Sequence, residues 1–217
     1  MYVCLEGLDG SGKTTLFNGL KIKFDEHCKL HGLTAEIACP THNSNPDSLL
    51  EKLYNRNSRL KNSSLFRAFI YSRRSNFVAK NTNWNSDFVL GDRSIVTSYV
   101  TRWRKYRGSA KLSSLFVDIM ESKIPAPDFV IMLDASPELL IRRLKARNKE
   151  IDIDETPKRS MEMRAAYKEI RDSALISRLG KAHWVTVPIY DEDEPVDVLD
   201  RTWKILEENV LQLSLKE

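Results

Sequence analysis

The sequence predicts a three-layer α/β domain, a five-stranded parallel sheet flanked by helices. Three observations predict it. Short apolar runs of strand length alternate with longer helical patterns along the chain. The runs are largely apolar on both faces, as strands covered from both sides are. The first run leads directly into a glycine-rich turn and then a helix, "CLEGLDGSGKTTL" at residues 4–16. Parallel neighbours require right-handed crossovers, so this alternation leaves few other topologies. The chain has 217 residues, 41% of them hydrophobic, and no break in composition divides residues 1–217 into more than one domain.

The elements follow in order. "YVCLE" at residues 2–6 is the first strand, and "TTLFNGLKIKFDEHCKL" is a helix with Leu16, Leu20 and Phe24 on one face. "TAEIAC" (34–39), "DFVLGD" (87–92), "DFVIMLD" (128–134) and "HWVTV" (183–187) supply the other strands. Between them lie a helix from Ser63 through "LFRAFIYSRRSNFV", another after Asp92, and "AKLSSLFVDIMESK". "SPELLIRRLKARN" is a helix with Ser136 as N-cap, Pro137 in the first turn and Glu138 at the positive dipole end. The last helix carries Val196, Leu199, Trp203, Leu206, Val210 and Leu213, spaced three and four apart.

Composition narrows the function. A net charge of +4 with mixed signs suits polyanionic ligands but does not call for nucleic acid. Cys4, Cys28 and Cys39 lack metal-ligand spacing and read as reduced thiols of a cytoplasmic protein. No leader peptide and no apolar run of about 18 residues is found, so no membrane association is expected.

Chemistry concentrates at the strand ends, where ligands bind in such sheets. Gly7, Gly12, Lys13 and Thr14 match G-x-x-x-x-G-K-[ST]. In that pattern successive backbone N–H groups form an anion nest, and the next helix adds its positive end. Gly7, Asp9, Gly10, Ser11, Gly12, Lys13, Thr14 and Thr15 therefore form the expected ATP site, with Lys13 on the β- and γ-phosphates and Thr14 on Mg²⁺. "GDRS" at residues 91–94 places Asp92 after a buried strand, either as a second Mg²⁺ partner or as a helix cap. Arg93 is either a phosphate clamp or a surface arginine. In "FIYSRRS" (69–75), Phe69 and Arg73 share a helix face. They read as a stacking and hydrogen-bonding pair for a nucleobase, or as a core ring and a surface cation. Arg142, Arg143, Lys145 and Arg147 precede a polar segment and suggest a lid at about 142–156, against the alternative of dipole-favoured cations. Residues 102–107 of "TRWRKYRG" interleave cations with aromatics, as a solvated basic loop or a nucleic-acid contact.

Taken together, these residues resemble the thymidylate kinase family, within the larger group that includes the deoxynucleoside kinases. "LEGLDGSGKTT", "GDRS", "FIYSR", "PDFVIMLDASPELLIRRLKAR" and "RAAYKEI" carry the resemblance, which spans most of the chain. It implies a P-loop nucleotide kinase fold with a short lid, and members that are usually homodimers. It implies that Asp9 contacts the acceptor sugar 3′-hydroxyl, that Phe69 and Arg73 hold thymine, and that Arg143 and Arg147 supply transition-state charge. The sequence departs from the family on the acceptor side. His42 stands where an arginine is expected, Thr97 replaces a serine, Thr101 replaces an aromatic beside Arg102, and "DIDE" lacks the usual Asp-Arg pair. The expected activity is transfer of the ATP γ-phosphate to dTMP or a related deoxypyrimidine monophosphate. One alternative is a deoxynucleoside kinase acting on a 5′-hydroxyl, although "ACPTHN" offers no acid after the second strand. The other is a non-catalytic nucleotide-binding protein.

Overall fold

The computed structural model describes residues 1–42, 48–103, 110–147, 156–173 and 176–211. In chain order the elements are β1 (Tyr2–Gly7), α1 (Lys13–His31), β2 (Ala35–Ala38), α2 (Leu49–Arg56), α3 (Ser58–Asn62), α4 (Ser64–Asn81) and β3 (Phe88–Asp92). There follow α5 (Ile95–Trp103), α6 (Ala110–Met120), β4 (Phe129–Ala135), α7 (Pro137–Ala146), α8 (Pro157–Arg171), β5 (His183–Ile189) and α9 (Pro195–Leu206). Leu213, most of the expected lid and residues 104–107 of the basic segment lie outside the described residues.

The strands form one parallel sheet in the order β2-β3-β1-β4-β5. All five expected strands are present, with ends shifted by one or two residues; α6 stops three residues before the expected end, and α2 and α3 are helices that the sequence patterns do not predict. The chain leaves β1 for one side of the sheet and later crosses to the other, so the crevice at the end of β1 is the switch point. Register fixes what meets there: Leu5 lies opposite Asp92, and Gly7 opposite Leu133.

Burial on both faces holds for β1, β3 and nearly all of β4. It fails for β2 and β5, which are the sheet edges: Ala35 is exposed at one edge, and His183, Thr186 and Pro188 at the other. In α1 the expected face is buried at Leu16, Leu20 and Phe24, joined by Cys28. In α9 the buried line is Val198, Thr202 and Leu206, flanked by partly buried Leu199 and Trp203. Val196 is exposed, because two residues of helix turn it about 200° away from Val198. A π-helical turn at Glu207–Leu211 then widens the step so that both Val210 and Leu211 are buried.

Arg102, expected at the start of an accessible basic segment, is instead a core residue. Its guanidinium donates to Glu121 Oε1 at 2.8 Å, to Ala68 O at 3.0 Å and to Ser72 Oγ at 3.1 Å. Trp103 is buried too, donating to Glu169 at 2.7 Å. Neither side chain is presented for a nucleic-acid contact. Glu121 has no exposed surface and also accepts from Ser72 and Ser98, so this group clamps α4 and α5 to the end of α6. Removing one partner of a buried ion pair strands the other charge. Glu121→Ala should therefore cost about 3–5 kcal/mol of stability, read from the urea unfolding midpoint.

Candidate active site

The turn after β1 has the backbone of an anion nest. Gly7 sits at φ 146°, and a Cβ there would lie 2.8 Å from the Leu133 carbonyl oxygen. Gly12, at φ 92°, caps α1 without any side-chain hydrogen bond to the helix. The first N–H groups of α1 thus face the turn without a side-chain acceptor. Ser11 Oγ is buried and has no partner among the described residues. Two glycine-only angles, an uncapped helix start and an orphaned hydroxyl all fit a bound phosphate chain.

Lys13 is folded into this turn. It is 7% exposed, its Nζ donates to Leu8 O at 2.7 Å, and it lies 3.6 Å from Asp9. The Arg93 guanidinium contacts the same Asp9 carboxylate and donates at 3.4 Å to Gly7 O and to Thr97 Oγ1. Arg93 occupies the left-handed region at φ 68°, a conformation costing about 1–3 kcal/mol that must be held by its surroundings.

Glu6 holds it. This carboxylate has no exposed surface. Oε1 accepts from Ser94 N and Ser94 Oγ, each at 2.8 Å, and Oε2 from Thr97 Oγ1 at 2.6 Å and Tyr167 OH at 2.9 Å. Neither Glu6 nor Tyr167 was among the candidates. The available signal was an acid within a strand otherwise apolar on both sides. Thr97, a candidate substrate contact, spends its hydroxyl proton on Glu6.

Charge in this cluster is finely set. Burial pushes the Lys13 ammonium down, the Arg93 charge pushes it further, and Asp9, Glu6 and Asp92 only partly restore it, leaving a pKa of about 7. Burial acts to raise the Asp9 carboxyl, but Arg93 and Lys13 outweigh it and hold it below its usual range. Arg93 is disfavoured by burial, yet Asp9 and its other anionic neighbours raise its affinity for the proton.

Other candidates surround this centre. Asp92 is buried at the end of β3, and His42 Nε2 lies 3.3 Å from its Oδ2. His42 gets there because the chain turns back after β2, with His42 N donating to Cys39 O at 3.1 Å. Thr14 and Thr15 are exposed in the first turn of α1. Arg143 and Arg147 line a cavity of about 330 Å³ together with Gly10, Ser11, Gly12 and Thr15. Arg142 points elsewhere, to an exposed pair with Asp191.

Phe69 and Arg73 do share a face, with the guanidinium 5.9 Å from the ring centroid. Both are exposed, and no described contact joins them to the cluster. The arginine that turns inward is the next one. Arg74 donates to both oxygens of Glu51, at 2.8 and 2.7 Å, and to Thr41 O at 3.0 Å, beside His42. Its sequence signal was the buried residues four positions away on either side, Ile70 and Val78.

A phosphate nest with an inserted lysine, an acid at the neighbouring strand end and two helical arginines on one cavity define a P-loop nucleotide phosphotransferase. Comparison with known proteins makes the class specific. The family model for thymidylate kinase matches residues 5–181. The chain is similar to the probable thymidylate kinase 1 of Saccharolobus solfataricus, at 26% identity over 96% of this chain and 97% of that one. It is also similar to the thymidylate kinase of Blochmanniella floridana, at 28% identity over 67% and 70%. Among solved structures, thymidylate kinase from Candida albicans superposes with a TM-score of 0.61 at 18% identity, covering 96% of this chain and 91% of that one. Deoxyadenosine kinase from M. mycoides, with bound dCTP, gives 0.61 at 15% identity, covering 96% and 100%. These two show the shared fold. The chain belongs to the thymidylate kinase family, and it is a phosphotransferase that uses ATP.

The depressed Lys13 pKa makes a testable prediction. At about pH 8 the free enzyme holds Lys13 mostly neutral, and a triphosphate placed beside it draws the proton back. ATP binding at that pH should take up protons, seen by calorimetry in buffers of different ionisation enthalpy. At about pH 6, where the lysine is already charged, uptake should fall, and in Lys13→Ala it should be absent.

Proposed function

We propose that this chain transfers the γ-phosphate of ATP to dTMP, giving ADP and dTDP. The observation that carries this reading is the Lys13–Asp9–Arg93 cluster. It puts an acid of the donor-phosphate loop in contact with a cation from the end of the neighbouring strand. Donor and acceptor groups would therefore meet at one point.

In this reading the nest of Gly7, Gly10, Ser11 and Gly12 holds the phosphates of ATP, and Lys13 leaves the Leu8 carbonyl to reach them. Thr14 and Asp92 would hold Mg²⁺, which would supply neutralisation of phosphate charge. Arg93 clamps the transferring or acceptor phosphate, released from Asp9 as Asp9 accepts from the sugar 3′-hydroxyl. His42, on the Asp92 side, takes the place of a second acceptor cation. Phe69 and Arg73 stack on and bond thymine, and Thr97 keeps Arg93 in register. Arg143 and Arg147 approach from the lid side and stabilise charge as it spreads over the γ-phosphoryl oxygens. The attacking oxygen belongs to a phosphate and is already anionic, so positioning and cationic stabilisation suffice without a strong base.

The active unit in this proposal is a cytoplasmic homodimer. Leu65 and Phe77 on α4, and Leu115 and Ile119 on α6, are exposed apolar side chains on neighbouring helices. Asn76 of α4 donates to Met120 O at 2.7 Å and keeps those helices together. The free cysteines favour a reducing compartment, and no described helix is long and apolar enough to cross a membrane.

Three measurements test the reading. Lys13→Ala should lower kcat by at least about 10²-fold while the protein stays folded. Arg143→Ala and Arg147→Ala should lower kcat more than they raise KM for ATP; a pure KM effect would reduce them to ground-state contacts. In a panel of nucleosides and monophosphates, ADP release should be fastest with dTMP. Efficient turnover of thymidine without turnover of dTMP would replace this function with nucleoside phosphorylation.

A further inference from the structure

A second cavity among the described residues lies apart from the one at the glycine turn. It has a volume of about 530 Å³ and lies between α8 and the outer face of β4 and β5. It borders the edge strand β5, where Trp184 is half-buried and Thr186 exposed. Its volume falls within the range of small-molecule sites, which are apolar with a few placed polar groups.

The lining has a definite chemistry. Trp184 and Met132 form an apolar floor, and Met161 stands exposed at the rim. Arg164, Lys168 and Arg171 recur along α8 at spacings of four and three and give one wall three cations. The single acid, Asp134, is neutralised by Arg164 at 2.7 Å. Arg171 pairs with Asp172, and the charge of the exposed Lys168 also acts on that carboxylate. An aromatic platform beside a wall whose three cations outnumber the two acids near them, Asp134 and Asp172, suits a planar ring that carries phosphate.

The cavity is also connected to the catalytic centre. Tyr167 lines it and donates its hydroxyl to Glu6, the carboxylate that fixes Ser94 and Thr97 around Arg93. Leu133, between the lining residues Met132 and Asp134, is the register partner of Gly7.

We propose that this groove is a second nucleotide-binding site, in which a base stacks on Trp184 and its phosphates engage Lys168 and Arg171, with occupancy transmitted through Tyr167 to Glu6. The site is separate from both catalytic subsites, so its filling is counted as extra stoichiometry. In equilibrium dialysis, labelled dTTP should bind wild type with one equivalent more than it binds Trp184→Ala or Lys168→Glu. Losing the stacking ring should weaken that equivalent by at least about tenfold. Lys168 is exposed, so its variant should fold even if the tryptophan variant does not, and turnover without added dTTP should be unchanged in it. The photoreactive analogue 5-azido-dUTP should label peptides of α8 or β5 in wild type. Equal stoichiometry in wild type and Lys168→Glu, or labelling confined to peptides of the phosphate loop and α7, would overturn the proposal. Full displacement of that extra equivalent by inorganic pyrophosphate at equal concentration would also overturn it, because the ring would then contribute nothing.

Discussion

One buried carboxylate ties the phosphate loop to the rest of the site. Glu6 has no exposed surface and accepts four hydrogen bonds, from the backbone and hydroxyl of Ser94, from Thr97 and from Tyr167. A charge so placed would be strongly destabilising if any part of it were left unsatisfied. Satisfied, it links the end of β1, the turn after β3, the first turn of α5 and the helix that follows the expected lid. The left-handed backbone at Arg93 persists because the next residue is held at two atoms by this acid.

The cations and acids around that anchor are arranged to be exchanged. Lys13 rests on a carbonyl of its own loop, and Arg93 rests on Asp9. Each of these internal partners is weaker than a polyphosphate would be, and each keeps its charge oriented towards the crevice at the end of β1. Crowding Lys13 and Arg93 together costs energy that an entering anion relieves, which is why burial and the neighbouring guanidinium both depress the lysine. The parallel sheet makes the crowding possible, since its register brings Gly7, Asp92 and Leu133 to one edge.

The fold was legible because its signals are local and repeated. Apolar runs separated by helical periods gave five strands, and the glycine spacing gave the nest with Gly7, Gly12 and Lys13 in place. The arginines at the end of α7 were legible as a cluster, and Arg143 and Arg147 border the cavity at the glycine turn. What the sequence hid was direction. Arg73 and Arg74 are adjacent and chemically alike, and only packing decides that Arg74 turns inward to Glu51 while Arg73 stays exposed. Arg102 looked like the start of a basic surface because its partner, Glu121, is nineteen residues away on another element. Glu6 was hidden in plain view: a strand reads as buried from its neighbours, and its one acid gains meaning only when donors from two distant segments, Ser94–Thr97 and Tyr167, converge on it.

The Glu6 carboxylate ties the turn after β3, with Arg93, to the end of β1. The most direct measurement is the single-turnover rate of phosphoryl transfer in Glu6→Gln, with folding followed by circular dichroism on the same sample. Glutamine keeps the shape but replaces an acceptor with a donor, so the converging hydroxyls lose one partner. The rate should fall at least about tenfold in folded protein, the equivalent of one charge-assisted hydrogen bond. An unchanged rate in folded Glu6→Gln would show that the carboxylate does not position the site.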